Sequence, residues 1–353
     1  MTSVNNGSEL MNAVVYQAPN TLEYCQVPVP QVGAGEILVK VKAALTCGTD
    51  LKTYKRGHHL MPPPTLFGHE FSGDVVEVGD GVKNFKPGMR VVAHNSAPCG
   101  ECYWCKHNQP SMCPDVIYNY GAYAEYIKVP APIVRLNTYE VPAHIPYARA
   151  AIMEPLSTVI HGQSKLDIQP GERVAILGAG GPIGLMHLQL AKLRGASQVF
   201  AVDMKEFRLQ VARELGATHT INLNDTDPIE AIKDLTGGIG VDAVIESAGS
   251  AETWVNALKV VRKGGRVLWF GGLPKDVQVT LDSYAIHYGE LTMYGVFHCT
   301  PVDVYHAHQL IMSETINTEK LVSRQMPLAQ VEDALKLMAE GKVIKVAILP
   351  EME

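Results

Sequence analysis

The stretch RVAILGAGGPIGLMHLQLAKLRGASQVFAVD, residues 173–203, decides how the chain is read. It opens on a short apolar strand, turns through glycines, continues with apolar residues at helical spacing and closes on a second apolar strand that ends in a carboxylate. That order makes a βαβ unit, whose strands lie parallel. Gly178, Gly180, Gly181, Pro182, Ile183 and Gly184 form the turn and the first helical positions. Glycines there let the backbone approach a pyrophosphate, which the first N–H groups of the helix would face. From Gly178 to Gly184 the string is one residue longer than the usual dinucleotide fingerprint, so by itself it is weak. Asp203 strengthens it, because a carboxylate at the end of the next strand accepts both ribose hydroxyls of NAD and repels the 2′-phosphate of NADP. NAD is the expected cofactor, against the plainer reading of a βα turn with a solvent-facing Asp. Arg208 is placed either along the adenosine ribose or as an ordinary exposed helical arginine.

Outward from this unit, further apolar strands stand at VDAVIES, GRVLWFGG and ELTMYGV, with helices FRLQVARELGA and AETWVNALKVVRKG between them. The pattern predicts a doubly wound parallel sheet over residues 163–298. From Met11 to Val92 the text is instead short strands (ILVKVKAAL, SGDVVEVG, RVVAH) punctuated by Gly and Pro, with no long helix. Helical spacing begins near Glu154. Residues 299–353 are too few for a domain and are expected to pack back on the β-rich one. The expectation is therefore an α/β protein with one domain from 1–162 and 299–353 and a second from 163–298. The first ten residues read as a loose extension, and neither an internal repeat nor a low-complexity tract is evident.

Bulk properties agree with this division. A chain of 353 residues exceeds the size at which a single core stops growing. With 46% hydrophobic and 19% charged residues the composition is that of an ordinary globular protein. A net charge of −6 gives no footprint for phosphodiester backbones, so nucleic acid is not an expected partner. Neither a signal-like N-terminus nor a long uncharged apolar run is present, so no membrane partner is expected and a cytoplasmic location is. Seven cysteines, four of them between Cys99 and Cys113, favour metal over disulfides in such a compartment.

Cys99, Cys102, Cys105 and Cys113 are spaced to wrap one tetrahedral Zn²⁺ with four thiolates. Four protein ligands leave no open position, so this site staples a loop; free buried thiols or a nucleic-acid-binding zinc ribbon are the alternatives. A second constellation is scattered: Cys47 in CGTD, His69 and Glu70 in GHE, and Glu154 in EPLS. Taken singly these are a packed cysteine, a structural histidine and a helix-capping Glu-Pro. Taken together, thiolate, imidazole and carboxylate with water in the fourth place make an open catalytic zinc site, giving two zinc ions per chain, one catalytic and one structural.

CGTD, GHEFSG, the four-cysteine lobe, EPLS and the glycine turn occur in the order seen in the zinc-containing medium-chain dehydrogenases, which the chain resembles over residues 11–350. Within that superfamily it looks most like the sorbitol and polyol dehydrogenases, through Glu154 and through GVFH at 295–298. The resemblance implies a GroES-like catalytic domain joined to a Rossmann domain, assembled as a homo-oligomer, a tetramer or a dimer. It implies Cys47 and His69 as zinc ligands, with Glu70 and Glu154 competing for the carboxylate place. It also implies Thr49 as the hydroxyl that passes on the alcohol proton, and Thr158 as a residue lining the nicotinamide.

Two positions depart from the pattern. Lys52 stands where many relatives keep a relay histidine, and the segment after Cys113 is short. The expected reaction interconverts a secondary alcohol of a polyol, sugar or cyclitol with its ketone, and Tyr54, Tyr118 and His298 are candidates to bind further hydroxyls. Three alternatives stand beside it. Basic residues Lys52, Lys55 and Arg56 would suit a phosphorylated polyol, an amino-alcohol substrate would suit an L-threonine-type enzyme, and a non-catalytic NAD-binding relative is the remote third.

Overall fold

The computed structural model describes residues 9–353. Of the ten residues expected to form a loose extension, residues 1–8 lie outside the described residues, whereas Leu10 already opens the strand Leu10–Ala18. The chain divides into two compact units. The first runs to Glu154 and takes up Ala307–Ser313 and Val322–Glu353; the second comprises Pro155–His306 and Glu314–Leu321.

The first unit is built on two main sheets, with a small two-stranded one joining Ser96–Ala97 to Ile117–Tyr118. In the larger, the strands order as Thr138–Glu140, Arg90–Ala93, Glu70–Val78, Ile37–Leu45, Lys345–Leu349 and Val322–Pro327, and Tyr126–Val129 also pairs with Ile37–Leu45. A three-stranded sheet joins Thr21–Pro28, Leu10–Ala18 and Thr65–Leu66. Tyr16, Phe67, Phe71 and Tyr123 are fully buried in its core, together with Ile348 from the chain's end. The C-terminal strand thus lies inside the sheet beside Ile37–Leu45, pairing Ala347 with Leu45 and Ile348 with Ala44. This placement brings the tail next to the turn that starts at Thr46.

The second unit is a six-stranded, all-parallel sheet in the order His219–Asn222, Gln198–Asp203, Arg173–Leu177, Val241–Glu246, Val261–Trp269, Thr292–Gly295. Covered on both faces, its central strands are apolar almost throughout rather than alternating. The strand order reverses between Arg173–Leu177 and Val241–Glu246, the place where open α/β sheets bind ligands beyond their carboxyl ends.

Two expectations need correction. The seam lies at Glu154/Pro155, and segments 299–306 and 314–321 go with the second unit, rather than breaks at 162/163 and 298/299. One unbroken helix, Met153–Leu166, runs through that seam, and Pro155 sits in its first turn where proline is tolerated, so no turn signal marks the division. Helix Ala251–Val260 ends four residues before the expected 264, because Val261 already pairs with Val241 and begins the strand Val261–Trp269. The β-rich segment also contains a nine-residue helix, Gly48–Arg56, hidden by its low apolar content.

Replacing Ile348 by Ala removes a fully buried side chain of the first unit's core, and should lower its unfolding free energy by about 2–5 kcal/mol in a denaturant titration. A change below about 1 kcal/mol would mean that the tail packs too loosely to matter.

Candidate active site

Cys47 caps helix Gly48–Arg56 from an extended conformation, with φ −123° and ψ 152°. Its Sγ accepts from Thr49 N at 3.4 Å, while Asp50 Oδ2 accepts from Cys47 N at 3.2 Å, so cysteine fills the place serine holds in an ordinary capping box. His69 and Glu70 arrive at the start of the strand Glu70–Val78. Donor atoms of Cys47, His69 and Glu70 lie within 4.8 Å of one another.

Their environment is short of water and crowded with charge. Burial pushes the Cys47 thiol above its ordinary range and the Glu70 charge adds to it, with His69 and Lys345 acting the other way. Burial likewise raises the Glu70 carboxyl, against the pull of Lys345 and His69. For His69 burial disfavours the imidazolium, but Asp50 and Cys47 outweigh it and hold the ring well above its usual pKa. Glu70 Oε1 is buried and accepts no hydrogen bond. A divalent cation would answer all of this at once, by favouring thiolate and carboxylate and taking up the orphaned oxygen. A sulfur, a nitrogen and an oxygen donor make the mixed set that suits an open zinc site.

Sequence reasoning missed three residues here. Asp50, within the CGTD motif, puts Oδ1 2.8 Å from His69 Nδ1, which leaves Nε2 of the ring for a metal. Tyr123 donates to the other Asp50 oxygen at 2.6 Å. Lys345, 1% exposed, donates to Glu70 Oε2 from 275 residues away in the chain, a separation that no local pattern could reveal. Asp50 alone had a usable signal, since a carboxylate three positions after Cys47 is placed to orient a neighbouring ligand.

Glu154 does not join the three-residue set. Its Oε1 lies 3.8 Å from His94 Nε2, and burial, partly offset by His69, pushes its carboxyl up to about 7. Thr49 is exposed on the first turn of its helix. Lys52, Lys55 and Arg56 are exposed on the same helix. Tyr54 is corrected: it is buried and donates to Glu332 Oε1 at 2.9 Å, binding the helix to Val331–Ala339 rather than offering a free hydroxyl. Tyr118 stacks on Tyr120, and burial pushes the Tyr120 phenol up to about 12.

Cys99, Cys102, Cys105 and Cys113 also gather with their sulfurs within 4.8 Å. The Cys99 to Cys113 and Cys99 to Cys105 sulfur separations are 3.5 and 3.9 Å, far beyond a disulfide's roughly 2.05 Å. Backbone N–H groups of Glu101 and Cys102 bring the Cys99 thiol down to about 7, whereas burial sends Cys105 up to about 12. Such a spread among close sulfurs suits a cation that takes all four as thiolates.

In the second unit the glycine turn has its expected geometry. Gly178 has φ +80°, and a Cβ there would stand 2.8 Å from Ala248 N. At Gly184 a Cβ would meet Gly178 O at 2.4 Å, so helix and turn could not approach as they do. Gly181 caps helix Pro182–Leu193 without a side-chain hydrogen bond, Pro182 and Ile183 follow in its first turn, and the first N–H groups stay available to an anion. Asp203 ends its strand and accepts from Gly180 N at 2.9 Å and from Met204 N at 2.8 Å. Arg208 packs its Cβ side toward Gly180, and burial lowers its guanidinium pKa against the opposing pull of Asp203. Glu246, unforeseen from sequence, is buried at the end of the neighbouring strand and accepts from Ala248 N and Gly249 N, shaping the turn that faces Gly178. Thr158 donates to Pro155 O within its own helix. His298 takes a left-handed conformation at φ +60°, and burial, with His161, lowers it to about 4.

Comparison with known proteins follows this geometry. Residues 33–142 match the alcohol dehydrogenase GroES-like domain, and residues 182–313 match the zinc-binding dehydrogenase family. The sorbitol dehydrogenase of Bacillus subtilis (strain 168) is 34% identical, covering 96% of this chain and 97% of that protein. The L-threonine 3-dehydrogenase of the same organism is 35% identical, covering 92% and 94%. A zinc-binding dehydrogenase of Sinorhizobium meliloti 1021, solved bound to NADP, superimposes with a TM-score of 0.89 at 33% identity, covering 97% of this chain and 100% of that one.

If Asp50 orients His69, Asp50→Asn should weaken metal retention at the Cys47 site on the order of 10–100-fold in chelator competition and leave the four-cysteine lobe unchanged. Equal retention in the variant would remove that role from Asp50.

Proposed function

The chain belongs to the zinc-containing medium-chain dehydrogenases, with a GroES-like domain and a Rossmann-type parallel sheet, and from that premise we propose that it is an NAD-linked polyol dehydrogenase. Its coarser activity, that of a zinc-dependent alcohol dehydrogenase-type oxidoreductase with a nicotinamide cofactor, follows from the family. The reaction we propose interconverts a secondary alcohol of an unphosphorylated polyol, sugar or cyclitol with its ketone. The observation that carries it is the convergence of Cys47, His69 and Glu70 around a buried carboxylate oxygen with no partner.

When bound, zinc supplies Lewis acidity that lowers the pKa of the substrate hydroxyl, and the nicotinamide supplies the hydride acceptor. The protein's own residues do the rest. Cys47, His69 and Glu70 hold the ion, with Asp50 fixing the His69 ring and helix Gly48–Arg56 fixing Cys47. Glu154 stands by as a buried carboxyl that neighbours the set without joining it. Thr49, exposed two residues after Cys47, takes the departing hydroxyl proton toward solvent. Gly178, Gly180, Gly181, Pro182, Ile183 and Gly184 bind the pyrophosphate, Asp203 and Arg208 the adenosine ribose, and Thr158 the nicotinamide. Cys99, Cys102, Cys105 and Cys113 hold a second, structural zinc. A homo-oligomeric assembly, tetramer or dimer, belongs to the same reading.

The sorbitol dehydrogenase likeness and the buried carboxylates of Glu70 and Glu154 support a polyol. An L-threonine-type substrate is the second reading, favoured by a relative of equal similarity. The phosphorylated alternative finds less support, since Lys52, Lys55 and Arg56 are exposed.

Kinetics over sorbitol, other polyols, their phosphates, inositols, L-threonine and 2-propanol should favour a neutral polyol, with the simple alcohol poorer by about 10⁴ in kcat/KM. A large preference for a phosphate that vanishes in Lys55→Ala/Arg56→Ala, or for threonine, would overturn the substrate assignment. In the same assay NAD should exceed NADP and Asp203→Ala should narrow the gap; equal kcat/KM for both cofactors in the wild type would displace Asp203 from the ribose.

Metal analysis of the loaded protein should give two zinc ions per chain. Cys102→Ser should lower stability, whereas Cys47→Ser should abolish turnover with the fold retained. The reverse pattern would exchange the two roles.

A further inference from the structure

The dehydrogenase reading leaves the buried ammonium of Lys345 at the inner site without a task. Lys345 opens the C-terminal strand Lys345–Leu349 and is 1% exposed. Its Nζ donates to Glu70 Oε2 at 2.5 Å and to Thr46 O at 2.7 Å. The strand itself does not need an ammonium there. Thr46 N donates to Val346 O at 3.0 Å and Val346 N donates to Thr46 Oγ1 at 2.9 Å, so the backbone beside Cys47 is tied down without the lysine head. Val346, Ala347 and Ile348 fill the same sheet with apolar side chains. Burying a lysine where an apolar residue would fit is unfavourable unless the charge has a specific use.

That use is read from the two oxygens of Glu70. Oε2 is committed to Lys345; Oε1 is buried, has no hydrogen-bond partner, and belongs to the carboxylate gathered with Cys47 and His69. We propose that Lys345 is a positioning residue that limits Glu70 to a one-oxygen, charge-tempered ligand, keeping a place at the inner metal open for the substrate hydroxyl. The inference rests on the Cys47, His69 and Glu70 metal reading above. An ammonium sharing this carboxylate weakens its donation and repels the cation. Removing it hands the metal a second oxygen and an unshared charge.

The test uses the full-length protein with cobalt(II) exchanged for the inner ion. The optical difference between wild type and Cys47→Ser isolates that ion; no difference would defeat the metal reading itself, not this inference alone. With the difference present, Lys345→Met should weaken the visible d–d bands, as the coordination number rises, and slow cobalt release to a chelator by about tenfold or more. Lys345→Arg, which keeps the charge, should retain the wild-type spectrum. In a Glu70→Gln background Lys345→Met should change neither readout. A wild-type spectrum and release rate in Lys345→Met, or an undiminished change in the Glu70→Gln background, would overturn the proposal. Should Lys345→Met fail to fold, recovery of folding in Glu70→Gln/Lys345→Met would show that the lysine acts through Glu70, and failure of the double variant as well would assign it a purely structural role.

Discussion

A carboxylate and an ammonium taken out of water together, Glu70 and Lys345, set the terms for the first unit. Each is at most 1% exposed, and neither could be buried alone, because an unpaired charge in that environment is strongly destabilising. Their pairing requires the last strand of the chain to lie beside the strand that precedes Cys47, which is where Ala347 and Ile348 pair with Leu45 and Ala44. Asp50 repeats the logic on the other side. It is fully buried, and it is used by His69, Tyr123 and the backbone of Cys47 together. The site is therefore assembled from opposing charges whose balance a divalent cation would complete.

The second unit meets a different constraint, that of close approach. Side chains at Gly178 and Gly184 would collide with backbone atoms, and the carboxylates Asp203 and Glu246 pin the two loops beyond the sheet by accepting backbone N–H groups. Here the chain prepares a surface of N–H groups at a helix start, and the sheet's strand order places that surface at the reversal point. One unit thus organises buried charge and the other organises bare backbone, matching a cation on one hand and a pyrophosphate on the other.

What was legible in the sequence is what is local. RVAIL and QVFAVD form strands at the residues expected, because a doubly covered strand needs a continuous apolar run and the glycine turn between them is unambiguous in its context. The four cysteines lie within fifteen consecutive residues, so spacing alone brought them together. Cys47 and His69, 22 positions apart with a helix between them, were joined by the chemistry of the set and by the resemblance rather than by spacing, and the choice between Glu70 and Glu154 stayed open. Lys345 was invisible because its partner is 275 residues away and nothing in KVAIL distinguishes a buried lysine from one at a sheet edge. The seam at Glu154 was missed for the opposite reason, as a continuous helix gives no sign that its two ends belong to different cores.

The two metal-ligand clusters also differ in how much of their shape exists without an ion. Between Cys99 and Cys113 only Ser111 and Cys113 are buried, and Tyr103, at 64% exposure, points its ring to solvent against His107. A loop with so little apolar burial cannot offset its own ordering entropy, so four sulfurs converging on one point are the feature able to hold it. Around Cys47 the reverse holds. Capping, the Asp50 contacts and the Lys345 pair fix the donors through hydrogen bonds within a packed sheet. On the two-zinc reading we propose, a closed ligand set would stand where structure depends on the ion, and a partial set where the protein already supplies the structure. The second arrangement can leave a coordination place vacant without loss of order, which is the condition an alcohol-binding site must satisfy.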